Sequence, residues 1–266
     1  MVKESFNDIL ISLQVYKENY KAFIAVFIVV IIGLILSLTI ILFLLYGLIW
    51  AENAIKLEPI IEIILVVLIL LFIIMVFLVF IGFKSTLYGL SYDIMSSGDL
   101  FTKFTHSFSY FRRYWWKYAI ISVIFAIPIF IGQVISFIII LNQGIDPSIG
   151  LFKIGLYIME FFSLVFLVEI YPSITAQGRF LQSISENIRI VKLNFRRILI
   201  SISIYFLLFR IIIILGDIAR LILVTNVEEL LIFNMIFLVI AIADGIIGTP
   251  VLSIITTRIY NTTELE

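Results

Sequence analysis

The chain has 266 residues, 63% of them apolar and 14% charged, with 18 basic residues balancing 18 acidic ones and a mean hydropathy of +1.22. A soluble domain carries roughly 25% charged residues, so the composition excludes an ordinary soluble enzyme and points to an integral membrane protein. The absence of cysteine excludes disulfides, thiolate metal sites, iron–sulfur clusters and cysteine nucleophiles. The single histidine, His106, argues against multi-histidine metal sites and histidine-relayed nucleophiles.

In chain order, residues 1–21 form an amphipathic, mixed-charge segment with anchors at Phe6, Ile9, Leu13, Tyr16 and Tyr20. The spacing i, i+3, i+7, i+10, i+14 predicts one stripe of an α-helix. The next 30 residues, Ala22 to Ala51, carry no charge. That run is too long for the core of a cleaved leader, so a retained first span is expected at 22–50. A polar turn, Glu52 to Glu58, leads to span two at 59–83. The segment 84–117 then repeats the stripe with Phe101, Phe104, Phe108, Phe111 and Trp115. Spans three and four are expected at 118–141 and 150–176, joined by Asn142 to Gly150. A third stripe, Leu181, Ile184, Ile188, Val191 and Phe195, precedes spans five and six at 198–223 and 230–257, joined by Thr225 to Glu229. Helices are required throughout because backbone groups in lipid must bond within their own segment.

Each stripe closes on a basic cluster: Lys17 and Lys21, then Arg112, Arg113 and Lys117, then Lys192, Arg196 and Arg197. The unit is an amphipathic interfacial helix followed by a helical hairpin, and it occurs three times. Either the chain is a triplication, with candidate repeats at 1–83, 98–176 and 178–259 of one membrane domain, or interfacial helices share such a stripe for physical reasons. The predicted class is all-α: a polytopic membrane protein with six transmembrane helices in three hairpins. Of the 18 basic residues, 14 fall on the face that carries the stripes and the C-terminal tail. By the positive-inside rule that face is cytoplasmic, so both termini are expected inside the cell membrane.

The stretch Tyr110 to Tyr118 is the densest in aromatic and basic residues. Such a helix lies at the headgroup level, its aromatics setting depth and its basic side chains reaching phosphates, each worth about 1 kcal/mol near an anionic surface. Arg112, Arg113, Trp115, Trp116, Lys117, Lys192, Arg196 and Arg197 are the candidate headgroup ligands. An aromatic belt that only fixes depth is the alternative. His106, in the same segment, is either a pH-sensitive group or a solvated polar residue.

Ionisable residues at membrane depth collect in the second half: Glu160 and Glu169 in span four, Arg210 and Asp217 in span five, Asp244 in span six. At 1.5 Å per residue, Glu160 and Arg210 fall at roughly 15 and 20 Å from the outer ends of their spans, which allows an ion pair. Asp217 and Arg220 share one side of span five with Arg210. These residues form either a polar site for a solute, ion or headgroup, or an ion-pair network that pins three helices. Pro128, Pro172 and the run Asp244-Gly245-Ile246-Ile247-Gly248-Thr249-Pro250 are expected points of kinking.

Enzyme signatures are absent. Asp217-Ile218-Ala219-Arg220 matches a fragment of the CDP-alcohol phosphatidyltransferase signature, but the glycines, serine and further aspartates of that motif are missing. Neither a P-loop nor GxSxG occurs. A lipid-modifying enzyme would have to rely on the scattered Asp93, Asp99 and Glu186. Asn261-Thr262-Thr263 is a glycosylation sequon on the expected cytoplasmic tail.

Two stretches carry a family likeness. The first runs from Phe83-Lys84-Ser85-Thr86-Leu87-Tyr88-Gly89-Leu90-Ser91-Tyr92-Asp93 to Ser96-Ser97-Gly98-Asp99-Leu100, then through the aromatic–basic helix to Ala126-Ile127-Pro128. The second is Tyr171-Pro172-Ser173-Ile174, followed by Ser185-Glu186-Asn187 and Asn194-Phe195-Arg196-Arg197. Most of the chain thereby resembles a loose superfamily of prokaryotic six-helix membrane proteins, which includes the membrane domain attached to some bacterial glycerophosphodiester phosphodiesterases. The soluble phosphodiesterase domain has no counterpart here, so the resemblance implies the architecture and a connection with lipid, not hydrolysis. The function expected is a non-enzymatic membrane module that binds lipid or a partner protein at the cytoplasmic face. The alternative is a small transporter or transporter subunit with a polar site among helices four to six. No cofactor, metal or nucleic acid is expected; membrane lipid is, with a partner membrane protein or a second copy as further partners.

Overall fold

The computed structural model describes residues 2–55, 58–97, 106, 108–124, 147–167, 169–212, 214–216, 235, 239–240 and 242–264. Apart from Glu169, Gly178 and Arg179, every one of these is helical. The helices are α1 (Val2–Ile55), α2 (Glu58–Ser97), α3 (108–124), α4 (Pro147–Leu167), α5 (Ile170–Gln177), α6 (Phe180–Tyr205) and α7 (Thr249–Glu264). Span three beyond 124, the turns at 142–146 and 225–229, and Phe101, Lys103, Phe104, Asp217 and Arg220 lie outside the described residues.

Three stretches are long and apolar enough to cross a membrane: Lys3–Gly47, Ile64–Ser97 and Ile154–Gln177, the last running from α4 into α5. The first departs from expectation. An interfacial helix ending near Lys21 should turn before the span begins, yet α1 continues unbroken for 54 residues, about 80 Å. Neither glycine nor proline occurs before Gly33, so nothing in the chain ends the helix at the expected boundary. The basic stripe is thus coaxial with the span and does not form a separate in-plane helix. α2 likewise carries on past residue 83 to Ser97.

In the fourth expected span, α4 is described to Leu167 and α5 from Ile170, with Glu169 between them. Pro172, which has no N–H to give the preceding turn, lies in the first turn of α5. α5 ends at Gly178, whose φ of 64° permits the left-handed cap and whose N–H donates to the Ile174 carbonyl at 2.9 Å. A Cβ at Gly178 would collide with the Tyr114 ring. α6 bends at Asn194 (φ −115°, ψ 19°). Beyond it, Phe206–Arg210 and Asp244–Gly248 are each a single π turn, closed by the N–H of Ile211 on Phe206 O and of Thr249 on Asp244 O.

The buried core lies at the basic end of the molecule. Ile9 of α1 packs with Ile190 and Ile198 of α6 and Val251 and Ile255 of α7. Tyr88 of α2 joins Tyr114 and Tyr118 of α3 and Tyr171 of α5, and Phe23 and Leu87 meet Ile254 of α7. Tyr171 is stacked between Tyr88 and Tyr118, with ring centroids 5.0 and 5.5 Å away. Far from that end, Leu36, Phe43 and Tyr46 of α1 and Leu70 and Ile74 of α2 are exposed, an apolar surface far too extensive for water.

Two features of the core go beyond the sequence reading. The residues expected as a solvated C-terminal tail form the end of α7, with Ile259, Tyr260 and Thr263 buried. The apolar stripes are divided between core and surface, with Ile9 and Val191 buried. Phe6, Tyr20, Leu181 and Ile188 are exposed, while Ser5, Asp8, Ser12, Ser183 and Asn187 are buried. In lipid the outer face is itself apolar, so the polar line can point inward and bond there.

Candidate functional site

At the basic end, Asp8 is 1% exposed and gathers two arginines. Arg197 of α6 donates from Nε to Oδ2 at 2.6 Å and from Nη2 to Oδ1 at 2.8 Å, a bidentate fork. Arg258 of α7 donates from Nε to Oδ1 at 2.9 Å. Arg197 also reaches Thr262 Oγ1 at 3.0 Å, and Asn194 reaches Thr263 Oγ1 at 2.8 Å. The hydrogen bond to Asp8 raises the Arg197 pKa further above its ordinary value, against the effect of burial. This knot binds α1, α6 and α7 together. Arg197, expected to face headgroups, is instead held inside it. Asp8 was missed by sequence reasoning, although the line Ser5, Asp8, Ser12, Asn19 has helical spacing and was the available signal.

Beside α4, the two π turns carry the second cluster. Arg210 closes the first and Asp244 opens the other. Arg210 Nη2 lies 3.3 Å from Glu160 Oε1 and Nη1 lies 3.4 Å from Asp244 Oδ2, while Tyr205 donates to Asp244 Oδ1 at 3.4 Å. The pair between Glu160 and Arg210 expected from depth alone is therefore formed, and Asp244 joins it. Gly248 makes room for this: a Cβ there would collide with Asp244 Oδ1. Glu169, placed in the same site by sequence, stands apart from this triad. It is fully buried between α4 and α5, and its charged neighbours are Arg197 and Asp8.

The α3 surface has two kinds of basic residue. Lys117 donates to the Gly178 carbonyl and lies over the Tyr114 and Trp116 rings at 4.9 and 5.2 Å. Burial, and then the charge of Arg113, lower its pKa. Arg113 lies over Tyr114 at 5.4 Å. Arg112 is exposed with no polar partner among the described residues, as are Lys192 and Arg196 on α6. Trp115 and Trp116 are 45% and 44% exposed. At the start of α3, Asp93 of α2 accepts from Tyr110 at 2.7 Å and pairs with His106 Nδ1 at 2.9 Å. Burial, and then the Asp93 hydrogen bond, raise the Tyr110 pKa above its ordinary value.

Beneath α3, a groove of about 240 Å³ opens between α1 and α2. Val30 and Gly33 form one wall, Val79 and Gly82 the other, and Phe108 and Phe111 close its end. The glycines set its width, since a Cβ on Gly33 would sit 3.1 Å from Val79 Cγ2. Among the described residues no three histidine or acidic side chains come together as a metal site. No known protein family, curated protein or solved structure matches the chain.

Proposed function

We propose that this chain is a multi-pass protein of the cytoplasmic membrane, with six spans in three hairpins and both termini inside, whose basic end binds an anionic lipid without altering it. The groove carries this reading. It is apolar, opens between two membrane-crossing helices, and ends under the helix that bears the exposed arginines. Arg112 follows Phe108 by four residues and Trp115 follows Phe111 by four, so each lies one turn beyond a groove residue on the same side of α3. An acyl segment between Val30 and Val79 would then bring its headgroup phosphate to Arg112 and Arg113. A cavity of this size is below the roughly 300–1,000 Å³ of drug-like sites and suits part of one chain. The transporter alternative draws less support, because Arg210 is engaged by both Glu160 and Asp244.

The test is lipid retained by the detergent-purified protein, measured by native mass spectrometry after exchange with phosphatidylglycerol or phosphatidylcholine. Val79→Phe, which fills the groove, is expected to remove bound lipid of both classes. Arg112→Ala with Arg113→Ala is expected to lower phosphatidylglycerol affinity about 30-fold, from about 1 kcal/mol per charge, and to leave phosphatidylcholine unchanged. Equal retention in the wild type and Val79→Phe would refute the assignment.

A further inference from the structure

The groove between α1 and α2 is apolar at every lining side chain but one. Among the described residues that exception is Thr86. It follows Val79, Gly82 and Phe83 on a single stripe of α2, so it shares their face. The residue is 2% exposed, yet among the described residues its hydroxyl makes no hydrogen bond. A buried serine or threonine in a helix ordinarily donates to the carbonyl one turn back. Ser37 and Thr257 do so, to Gly33 and Ser253. For Thr86 that carbonyl belongs to Gly82, and Ser85 already donates to it at 3.1 Å. The Thr86 oxygen is also not one of those sealed inside the protein, so it opens on the groove that the residue lines. On the reading that the groove takes an acyl chain, we propose that Thr86 donates to an ester carbonyl of the lipid, which makes the ligand an ester-linked diacyl phospholipid rather than an ether-linked one.

The chemistry of the slot selects that acceptor. A buried hydroxyl left without an acceptor carries its full desolvation penalty, so a ligand that brings one is favoured over plain hydrocarbon. Water fits poorly, because an ordered water needs several polar partners and the described lining offers one polar side chain. An acyl ester has its carbonyl oxygen at the junction of hydrocarbon chain and headgroup. Thr86 occupies the matching position. It sits about 10 Å along α2 from Val79, next to the end where Phe83 and Leu87 pack with Phe23 in the core. With the chain between Val30 and Val79 and the phosphate at Arg112 and Arg113, the carbonyl is the part of the lipid that meets Thr86. An ether linkage replaces that carbonyl by a methylene and leaves the hydroxyl unpaired.

The experiment is native mass spectrometry of the full chain in detergent, titrated with diacyl phosphatidylglycerol and with dialkyl phosphatidylglycerol of the same chain length. The wild type is expected to bind the diacyl lipid about fivefold more tightly, the worth of one neutral hydrogen bond. Thr86→Val, close in shape but without the hydroxyl, should bring the two affinities together, and Thr86→Ser should keep them apart. Equal affinities in the wild type overturn the proposal, a result that needs no variant to fold. So does a preference for the diacyl lipid that survives Thr86→Val. Val79→Phe separates this failure from that of the groove itself. Equal wild-type affinities with both lipids lost in Val79→Phe refute the carbonyl contact alone. Both lipids retained in Val79→Phe refute the groove, and the contact with it.

Discussion

The protein has two arginine clusters, and they are built differently. At the basic end, one fully buried carboxylate, Asp8, is shared by Arg197 and Arg258 with bonds of 2.6–2.9 Å. Beside α4, one arginine, Arg210, lies between two carboxylates at 3.3 and 3.4 Å and is 29% exposed. The first cluster gathers beside the bend of α6 at Asn194 and makes bidentate, charge-assisted bonds. The second stands on two π turns, which recur at functional sites because the extra residue redirects a side chain. The contrast teaches that short, fully satisfied bonds hold the compact end together. The looser triad leaves an arginine whose Nε is buried without a partner.

The largest test of this contrast is Asp8→Ala, which strands two partly buried guanidiniums. It is expected to cost about 4 kcal/mol, read as a lower unfolding midpoint and faster hydrogen exchange in both the first turns of α1 and the end of α7. Loss confined to α1 would show that the knot does not couple the helices. Asp244→Ala should cost less, about 2 kcal/mol, because Arg210 retains Glu160. Gly248→Ala should cost a similar amount, by pushing Asp244 off Tyr205 and Arg210. The two changes should therefore be strongly non-additive in a double-mutant cycle, with the double variant near the single ones; additive losses would separate the glycine from the triad. The smallest effect is expected from Tyr110→Phe, about 1 kcal/mol for the bond to Asp93. The folded-state pKa of Tyr110 is raised, so its contribution is complete below about pH 10 and is lost as pH rises towards the folded value. An alkaline titration of stability should accordingly be flatter in Tyr110→Phe than in the wild type.

The candidate sites were legible in the sequence to different degrees. Glu160, Arg210 and Asp244 were found because an ionisable residue inside an apolar run is conspicuous and helical rise fixes its depth. Asp8 was not found because it sits in a mixed-charge segment, where an acid carries no special signal until α6 and α7 are packed against it. Lys117 and Arg197 were read as headgroup ligands from their basic, aromatic surroundings. Which basic residue points outward depends on the partner helix, and the two taken up inside have a carbonyl or carboxylate waiting. Asp217, a further candidate, lies outside the described residues.

The sequence by itself determined the helical class, the apolar segments able to cross a membrane, and the concentration of basic residues in the segments between them. Each follows from local composition and from the requirement that backbone groups in lipid bond within their own segment. Only the tertiary structure decided which stripe residues pack inside, as Ile9 and Val191 do, and which face outward, as Phe6 and Leu181 do, that the serine–aspartate line of α1 points inward, and that the last helix carries on past residue 257 with Ile259 and Tyr260 buried. It also decided that Glu169 is fully buried and stands apart from the Arg210 cluster. Periodicity marks two faces of a helix, but in a membrane both faces find apolar surroundings, so which one is buried depends on the neighbouring helices.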